Sequence, residues 1–297
     1  MKKKRLLQPI DKLIIIYCLI NIFYILLGIF LHGLKSERLQ DPLKHLTMFF
    51  ITIITVNHLI RLYQKFPNRF WEFAREWYVI LFFVYFFETT TALNQIIFPG
   101  FFDNFFQRID QYIFGYQPAA KWGLSFNNYL ISEIMHFAYF SYYLSWIFYL
   151  IAYIKDRQKF RMYVFVLVFV FFVCYLTYNI LPVIGGRALP GMMELTQTGR
   201  YGLFTRIMAY IYKVTPHLGG AFPSSHVAIA VVVNLSAFNF SKKMGWIILP
   251  ITILLSLSTV YCHYHYFIDT VFGLIYGIIF YLIGLRIYKY KPKAMNV

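Results

Sequence analysis

The sequence predicts an all-α integral membrane protein with about eight transmembrane helices. Three observations predict it. First, 60% of the residues are hydrophobic and only 13% are charged. A soluble domain has roughly 45–50% and about 25%, so the apolar excess calls for a lipid-facing surface and not merely a larger core. Second, the apolar residues fall in long runs, and a hydrocarbon core about 30 Å thick is crossed by about 20 residues of helix. Third, Lys and Arg are concentrated in the gaps between those runs.

In chain order, the basic start Met1-Lys2-Lys3-Lys4-Arg5 precedes a long apolar run with no small-residue cleavage site after it. That pattern predicts a signal anchor that stays in the membrane. Candidate spans run at about 12–32, 46–62, 77–97, 130–153, 162–183, 224–240, 245–262 and 266–286. All are expected to be helical, because an open strand cannot satisfy its backbone in lipid. Residues 98–129 hold Phe101-Phe102, Phe105-Phe106, Ile109 and Tyr112-Ile113, interrupted by Asp103, Arg108 and Asp110. The spacing suits an amphipathic helix on the membrane surface. Residues 184–223 are rich in Gly and Pro, with an apolar patch at Leu203–Lys213. So long a connection within a bundle points to function.

Orientation follows from charge. With alternating spans, nineteen of the 28 Lys and Arg residues fall on the side of the N-terminus and nine on the other. The positive-inside rule then puts both termini in the cytoplasm and favours an even number of spans. The net charge of +16 is thereby assigned to topology and anionic headgroups, and nucleic acid is not an expected partner. Cys18, Cys174 and Cys262 all lie in apolar runs without C-x-x-C spacing. They read as structural filler and not as a disulfide or thiolate metal site.

Three elements bear on chemistry. His265 and Asp269 are four residues apart at the start of the last span, on one helix face. A carboxylate beside an imidazole fixes its tautomer and raises its basicity, leaving the other nitrogen a competent nucleophile. A polar cap at the interface would use the same residues. Phe222-Pro223-Ser224-Ser225-His226 opens the sixth span. Pro and Ser start helices well, and the exposed N–H groups there favour an anion, phosphate above all. An ordinary capped helix start explains Pro and Ser but not the histidine. Gly185-Gly186-Arg187 follows the fifth span, where a guanidinium can hold phosphate through two bonds or reach toward headgroups. In the topology drawn from charge, Arg187, His226, His265 and Asp269 all fall on the outer side.

This set resembles the type-2 phosphatidic acid phosphatase superfamily, whose pattern is K-x6-R-P, P-S-G-H and S-R-x5-H-x3-D. Here Arg187 stands for the first block, Pro223-Ser224-Ser225-His226 for the second, and Ser258-Thr259-x5-His265-x3-Asp269 for the third. Ile180 occupies the position of the first Lys, Ala188 follows the Arg, Ser225 replaces Gly and Thr259 replaces the third-block Arg. The chain is most similar to the branch containing inositol phosphorylceramide synthases, as Asp110-Gln111-Tyr112-Ile113-Phe114-Gly115, Pro118 and the run Tyr139, Tyr142, Tyr143 also suggest.

The resemblance implies a six-helix phosphatase-type core at 76–290, a two-helix N-terminal extension at 1–75 and a basic tail at 291–297. It implies a metal-independent lipid phosphotransferase or phosphatase without cofactors. His265 is the nucleophile, Asp269 its orienting partner and His226 the acid for the leaving alkoxide. Arg187, Ser224 and Ser225 bind phosphate, and His263 is a possible auxiliary group. The implied partners are a phospholipid or lipid phosphate and a ceramide or diacylglycerol acceptor, met at the extracytoplasmic face of the cytoplasmic membrane.

Other classes compete. Glu133-x-x-His136 has di-iron spacing, but the chain lacks the further carboxylates in its spans. His263, His265 and His226 could form a zinc set. A non-catalytic lipid binder or transporter would use His58, Glu88 and Glu133 as pathway residues; the alternative for these three is pairing within the bundle.

Overall fold

A computed structural model describes residues 7–198, 202–215 and 217–289. The basic cluster at 1–5, Arg200 and the tail at 291–297 lie outside the described residues. Among the described residues no strand forms, and Val183 and Gly220 make an isolated bridge. The helices are α1 (Pro9–His32), α2 (Gln40–Lys65), α3 (Arg69–Leu93), α4 (Asp103–Phe114), α5 (Pro118–Ser125), α6 (Tyr129–Leu144) and α7 (Trp146–Lys155). They continue with α8 (Arg157–Ile180), α9 (Met192–Thr198), α10 (Leu203–Val214), α11 (Ser225–Phe240), α12 (Lys242–Tyr261) and α13 (Phe267–Lys289).

Helices form at all eight expected span positions. Among the described residues, six stretches are long and apolar enough to cross a membrane: Pro9–His32, Glu37–Lys65, Tyr129–Lys155, Arg157–Ile180, Lys242–Tyr261 and Phe267–Lys289. Ser225–Phe240 is apolar but shorter. α3 stands outside these six because Arg69, Glu72, Arg75, Glu76 and Glu88 dilute its apolar character. The long helices carry exposed side chains such as Phe23, Phe30, Ile54, Leu81, Ile154 and Trp246, the apolar exterior that a lipid solvent requires. Cys18, Cys174 and Cys262 are free and buried. His58 and Glu88, expected to pair inside the bundle, are instead exposed.

The starts and stops have local causes. Pro9 opens α1, the Asp11 carboxylate accepts from the Gln8 N–H at 2.7 Å, and Gly33 ends the helix at φ 76°. Asn68 caps α3 by accepting from Trp71 N–H, and Asn128 caps α6 by accepting from Ile131 N–H. These are side-chain caps of the kind Asn favours.

By contacts the chain divides into two units, residues 1–100 with 175–182, and residues 101–174 with 183–297. The first contains α1, α2 and α3. Its buried polar centre is Asp11, whose carboxylate meets Arg75 at 2.5 Å and accepts from the Tyr78 hydroxyl at 2.7 Å. Some three turns further along α1, the Asn179 amide donates to Asn21 at 3.0 Å. Removing one partner of a buried pair costs far more than its net worth. Asp11→Ala is therefore expected to destabilise the protein by about 3 kcal/mol or more, read as a fall in thermal midpoint in detergent. An unchanged midpoint would show that this pair carries no stability.

The second unit packs α11 against α12 and α13, with α6 along α12. Close approach of α11 and α13 depends on Gly273, where a Cβ would lie 2.7 Å from the Ser224 carbonyl oxygen. α4 forms in the segment expected to be amphipathic, but with an unexpected polarity. Asp103, Phe106 and Asp110 face inward, while Phe105, Tyr112 and Ile113 are exposed. The acids turn inward because the backbone N–H groups of residues 184–185 and 267–268 meet them there.

Candidate active site

The second unit brings the start of α11, the turn before α13 and the loop after α8 together. Ser224 is the N-cap of α11, and its own N–H donates to the Asp269 carbonyl at 3.0 Å. That bond ties the first turn of α11 to the first turn of α13. His265 sits in the turn between α12 and α13, where the N–H groups of Tyr264 and His265 both donate to the Thr259 carbonyl. The chain reverses there through His263 at φ 65°. Gly185, at φ 86°, lets the Arg187 loop lie against this turn, since a Cβ there would meet the Tyr264 carbonyl oxygen at 2.5 Å.

The imidazoles of His226 and His265 meet edge to face with ring centroids 5.9 Å apart. His265 is 4% exposed. Its Nδ1 lies 3.0 Å from the Ala221 carbonyl oxygen. A carbonyl only accepts, so Nδ1 carries the proton and Nε2 keeps its lone pair. Burial drives the His265 pKa down to about 3, with Arg187 acting in the same direction and the Ala221 bond opposing. The ring is thus neutral near neutral pH. Asp269 is fully buried, and its Oδ2 lies 3.7 Å from His265 Nδ1. This is an ion-pair distance and not a hydrogen bond: Oδ2 accepts instead from the Tyr266 N–H at 2.8 Å. Asp269 Oδ1 is buried without a hydrogen-bond partner among the described residues.

Arg187 lies in a tight turn, 7% exposed. It donates to the His217 carbonyl at 2.6 Å, and its guanidinium carbon is 4.7 Å from the Tyr212 ring centre. Tyr212 stacks on Tyr264 with centroids 4.1 Å apart. Its hydroxyl is 2.7 Å from that of Tyr139, which lies 3.1 Å and 3.2 Å from the two ring nitrogens of His226. Tyr142 packs on the same ring, with centroids 4.4 Å apart. Ser224 and Ser225 are buried beside them.

The site as a whole therefore sets two imidazoles, a guanidinium and a buried carboxylate around the N-terminus of α11. This geometry coincides with a match over most of the unit: residues 110–283 fit the family model described as the PAP2 superfamily. The chain belongs to the PAP2 superfamily. A PA-phosphatase related-family protein of Dictyostelium discoideum is 26% identical over 184 residues, covering 52% of this chain and 33% of the relative. The chain thus spans about a third of the length of that curated relative. No solved structure matches.

The departures from the PAP2 superfamily pattern have structural counterparts. Thr259 is fully buried, and its hydroxyl donates to the Ser256 carbonyl and lies 2.7 Å from the Thr270 hydroxyl. It locks α12 to α13 where the pattern has a cation. Ile180, at the position of the first Lys, is exposed at the end of α8.

His263 is turned away from His226 and His265, toward α5. Its Nδ1 bonds the Ala119 carbonyl, and its ring abuts Gly123 on α5. With Ser132, His136, Thr196 and Thr205 it lines a separate cavity of about 50 Å³. Among the described residues no group of three His, Cys, Asp or Glu is arranged to hold a metal ion. Glu133 instead caps α10, accepting from the N–H groups of Phe204 and Thr205 and from the Thr205 hydroxyl.

The residues that sequence reasoning missed are Tyr212 on α10 and Asp103 on α4, around which no local pattern stands out. Asp110, Tyr139 and Tyr142 stand out only through the motif resemblance, which assigns them no role. The i, i+3 spacing of Tyr139 and Tyr142 also puts both on one face of α6.

Proposed function

We propose that this protein is a membrane lipid phosphoester phosphotransferase, inositol phosphorylceramide synthase-like, working through a phospho-histidine. The carrying observation is the His226–His265 pair, in which the Ala221 carbonyl leaves His265 Nε2 as the free lone pair. Nε2 attacks phosphorus and the bond to the leaving lipid alkoxide breaks. His226, protonated when the anionic phosphoester lies beside it, gives its proton to that alkoxide. The neutral His226 then takes the proton from an acceptor hydroxyl as that oxygen displaces His265 from phosphorus. Arg187, Ser224, Ser225 and the α11 N-terminus hold the phosphoryl oxygens as charge develops. Asp269 faces the imidazolium that forms when Nε2 is bonded. The Lys and Arg bias supports a site on the extracytoplasmic side with both termini in the cytoplasm.

A second reading is hydrolysis, with water as acceptor, favoured by the name of the Dictyostelium relative. Purified protein given labelled phosphatidylinositol, alone and with ceramide or diacylglycerol, separates the two. Transfer of the phosphoinositol group to the added alcohol, seen by product mass, is the expected result. Free inositol phosphate or phosphate as the sole product would replace transferase by phosphatase. No cleavage in any arm, with this donor or with phosphatidic acid, would overturn both and leave a lipid-binding role.

A further inference from the structure

α4 supplies none of the Arg, His or Asp set, yet its inner face touches every segment that carries one. Residues 103, 106, 107, 110 and 114 follow the spacing that lines one face of a helix. Asp103 accepts from the N–H groups of Ile184 and Gly185, each at 3.0 Å, and from the Tyr266 hydroxyl at 2.9 Å. Phe106 packs on Phe222 with ring centroids 4.4 Å apart. Gln107 donates to the Tyr266 hydroxyl at 2.8 Å. Asp110 accepts from the N–H groups of Phe267 at 2.8 Å and Ile268 at 3.1 Å. Phe114 meets the Phe267 ring edge-on at 4.8 Å.

The partners of α4 are near neighbours of the site residues in sequence. Ile184 and Gly185 precede Arg187, Phe222 precedes Ser224, and Tyr266 follows His265. Phe267 and Ile268 lead directly into Asp269. Asp110 also places a carboxylate on the first N–H groups of α13, where orphan donors and the helix dipole favour negative charge. Burial raises the pKa of both Asp103 and Asp110, while the bonds from these backbone donors oppose it. Two buried carboxylates so engaged are costly to place in a helix whose other face is apolar.

We propose that α4 is a brace in which Asp103 and Asp110 are positioning residues. They hold the three motif segments in the register that makes Arg187, His226, His265 and Asp269 face one another. Neither carboxylate reaches the reacting atoms. The proposal rests on the phosphotransfer reading only for its kinetic consequence, because a misplacement of about 1 Å remote from the chemistry can cost about 100-fold in rate.

The test uses Asp110→Ala and Asp103→Ala, with Asp110→Asn and Asp103→Asn as conservative variants that keep one acceptor oxygen. Lipid phosphoester turnover is measured per folded molecule in detergent. The Ala variants are expected to lose about 100-fold in kcat and the Asn variants about 10-fold, with KM moving much less. Amide hydrogen exchange supplies a readout independent of activity. Asp110→Ala should speed exchange at 267–268 and spare 184–185, and Asp103→Ala should do the reverse. If an Ala variant does not fold, its Asn counterpart carries both measurements. Unchanged kcat per folded molecule, or exchange that stays the same at both sites, overturns the brace. Wild-type protein that turns over no lipid sinks the phosphotransfer reading instead, and the exchange pattern then decides the brace alone.

Discussion

His265→Ala is expected to abolish lipid phosphoester turnover, with a loss of about 10⁴-fold or more, as removal of a covalent nucleophile does elsewhere. The Ala221 carbonyl holds the His265 ring by Nδ1 and leaves Nε2 as the basic nitrogen. Burial keeps the ring neutral, with its pKa at about 3, so Nε2 is not blocked by a proton at neutral pH. His226 packs edge to face on this ring, with centroids 5.9 Å apart. No other imidazole is so placed among the described residues: His263 is turned to Ala119, and His136 to the Ser132 carbonyl. Steady-state turnover and trapping of radiolabelled phospho-enzyme under alkaline quench check the prediction. Wild-type rates, or undiminished phospho-enzyme, in a folded His265→Ala protein would remove His265 from the mechanism.

Asp269→Asn is expected to lower kcat by about 10³-fold while leaving the thermal midpoint nearly unchanged, in line with the loss seen when a buried aspartate beside a catalytic imidazole becomes an amide. Asparagine keeps an oxygen that can accept from the Tyr266 N–H, so the start of α13 stays capped. What it loses is charge. Forming a bond at His265 Nε2 makes the ring an imidazolium, and in a buried site the missing counter-charge is felt far more than in water. Asp269 Oδ2 lies 3.7 Å from Nδ1, and its Oδ1 is buried without a hydrogen-bond partner among the described residues. The carboxylate is thus placed to engage the ring once the ring is charged, while Ala221 serves the neutral state. Full activity in Asp269→Asn would remove Asp269 from the catalytic set. A collapsed midpoint with normal kcat per folded molecule would reduce it to a helix cap.

Much of this molecule is legible along the chain. A run of apolar residues long enough to cross lipid has few options other than a helix, and helices stand at each of the eight positions read from hydropathy. Their ends follow local chemistry, as at Asn68, Asn128 and Gly33. The four-residue spacing brings His265 near Asp269, although His265 lies in the turn before α13 and not on the helix itself, and Ser224 marks the start of α11. The expected span at α3 falls outside the long apolar stretches because charged residues such as Glu76 and Glu88 interrupt it.

Other features depend on partners distant in sequence. Asp103 and Asp110 read as interruptions of an aromatic surface helix. Their meaning comes from the N–H groups of residues 184–185 and 267–268, some 80 and 160 positions away. Thr259 reads as a lost cation, but the fold makes it a buried hydroxyl paired with Thr270. Glu133 reads as half of a metal motif and is a cap for α10. Tyr212 carries no signal until α10 lays it between Arg187 and Tyr264. The sequence by itself determined the membrane-helical class and the helix positions, because hydropathy and capping act over a few residues, and its motif resemblance named the candidate Arg–His–His–Asp set. Only the tertiary structure decided which nitrogen of His265 is free, what Asp269 faces and what braces the site. Those depend on buried donors and acceptors finding each other across the chain, and a buried polar group is tolerated only where such a partner arrives.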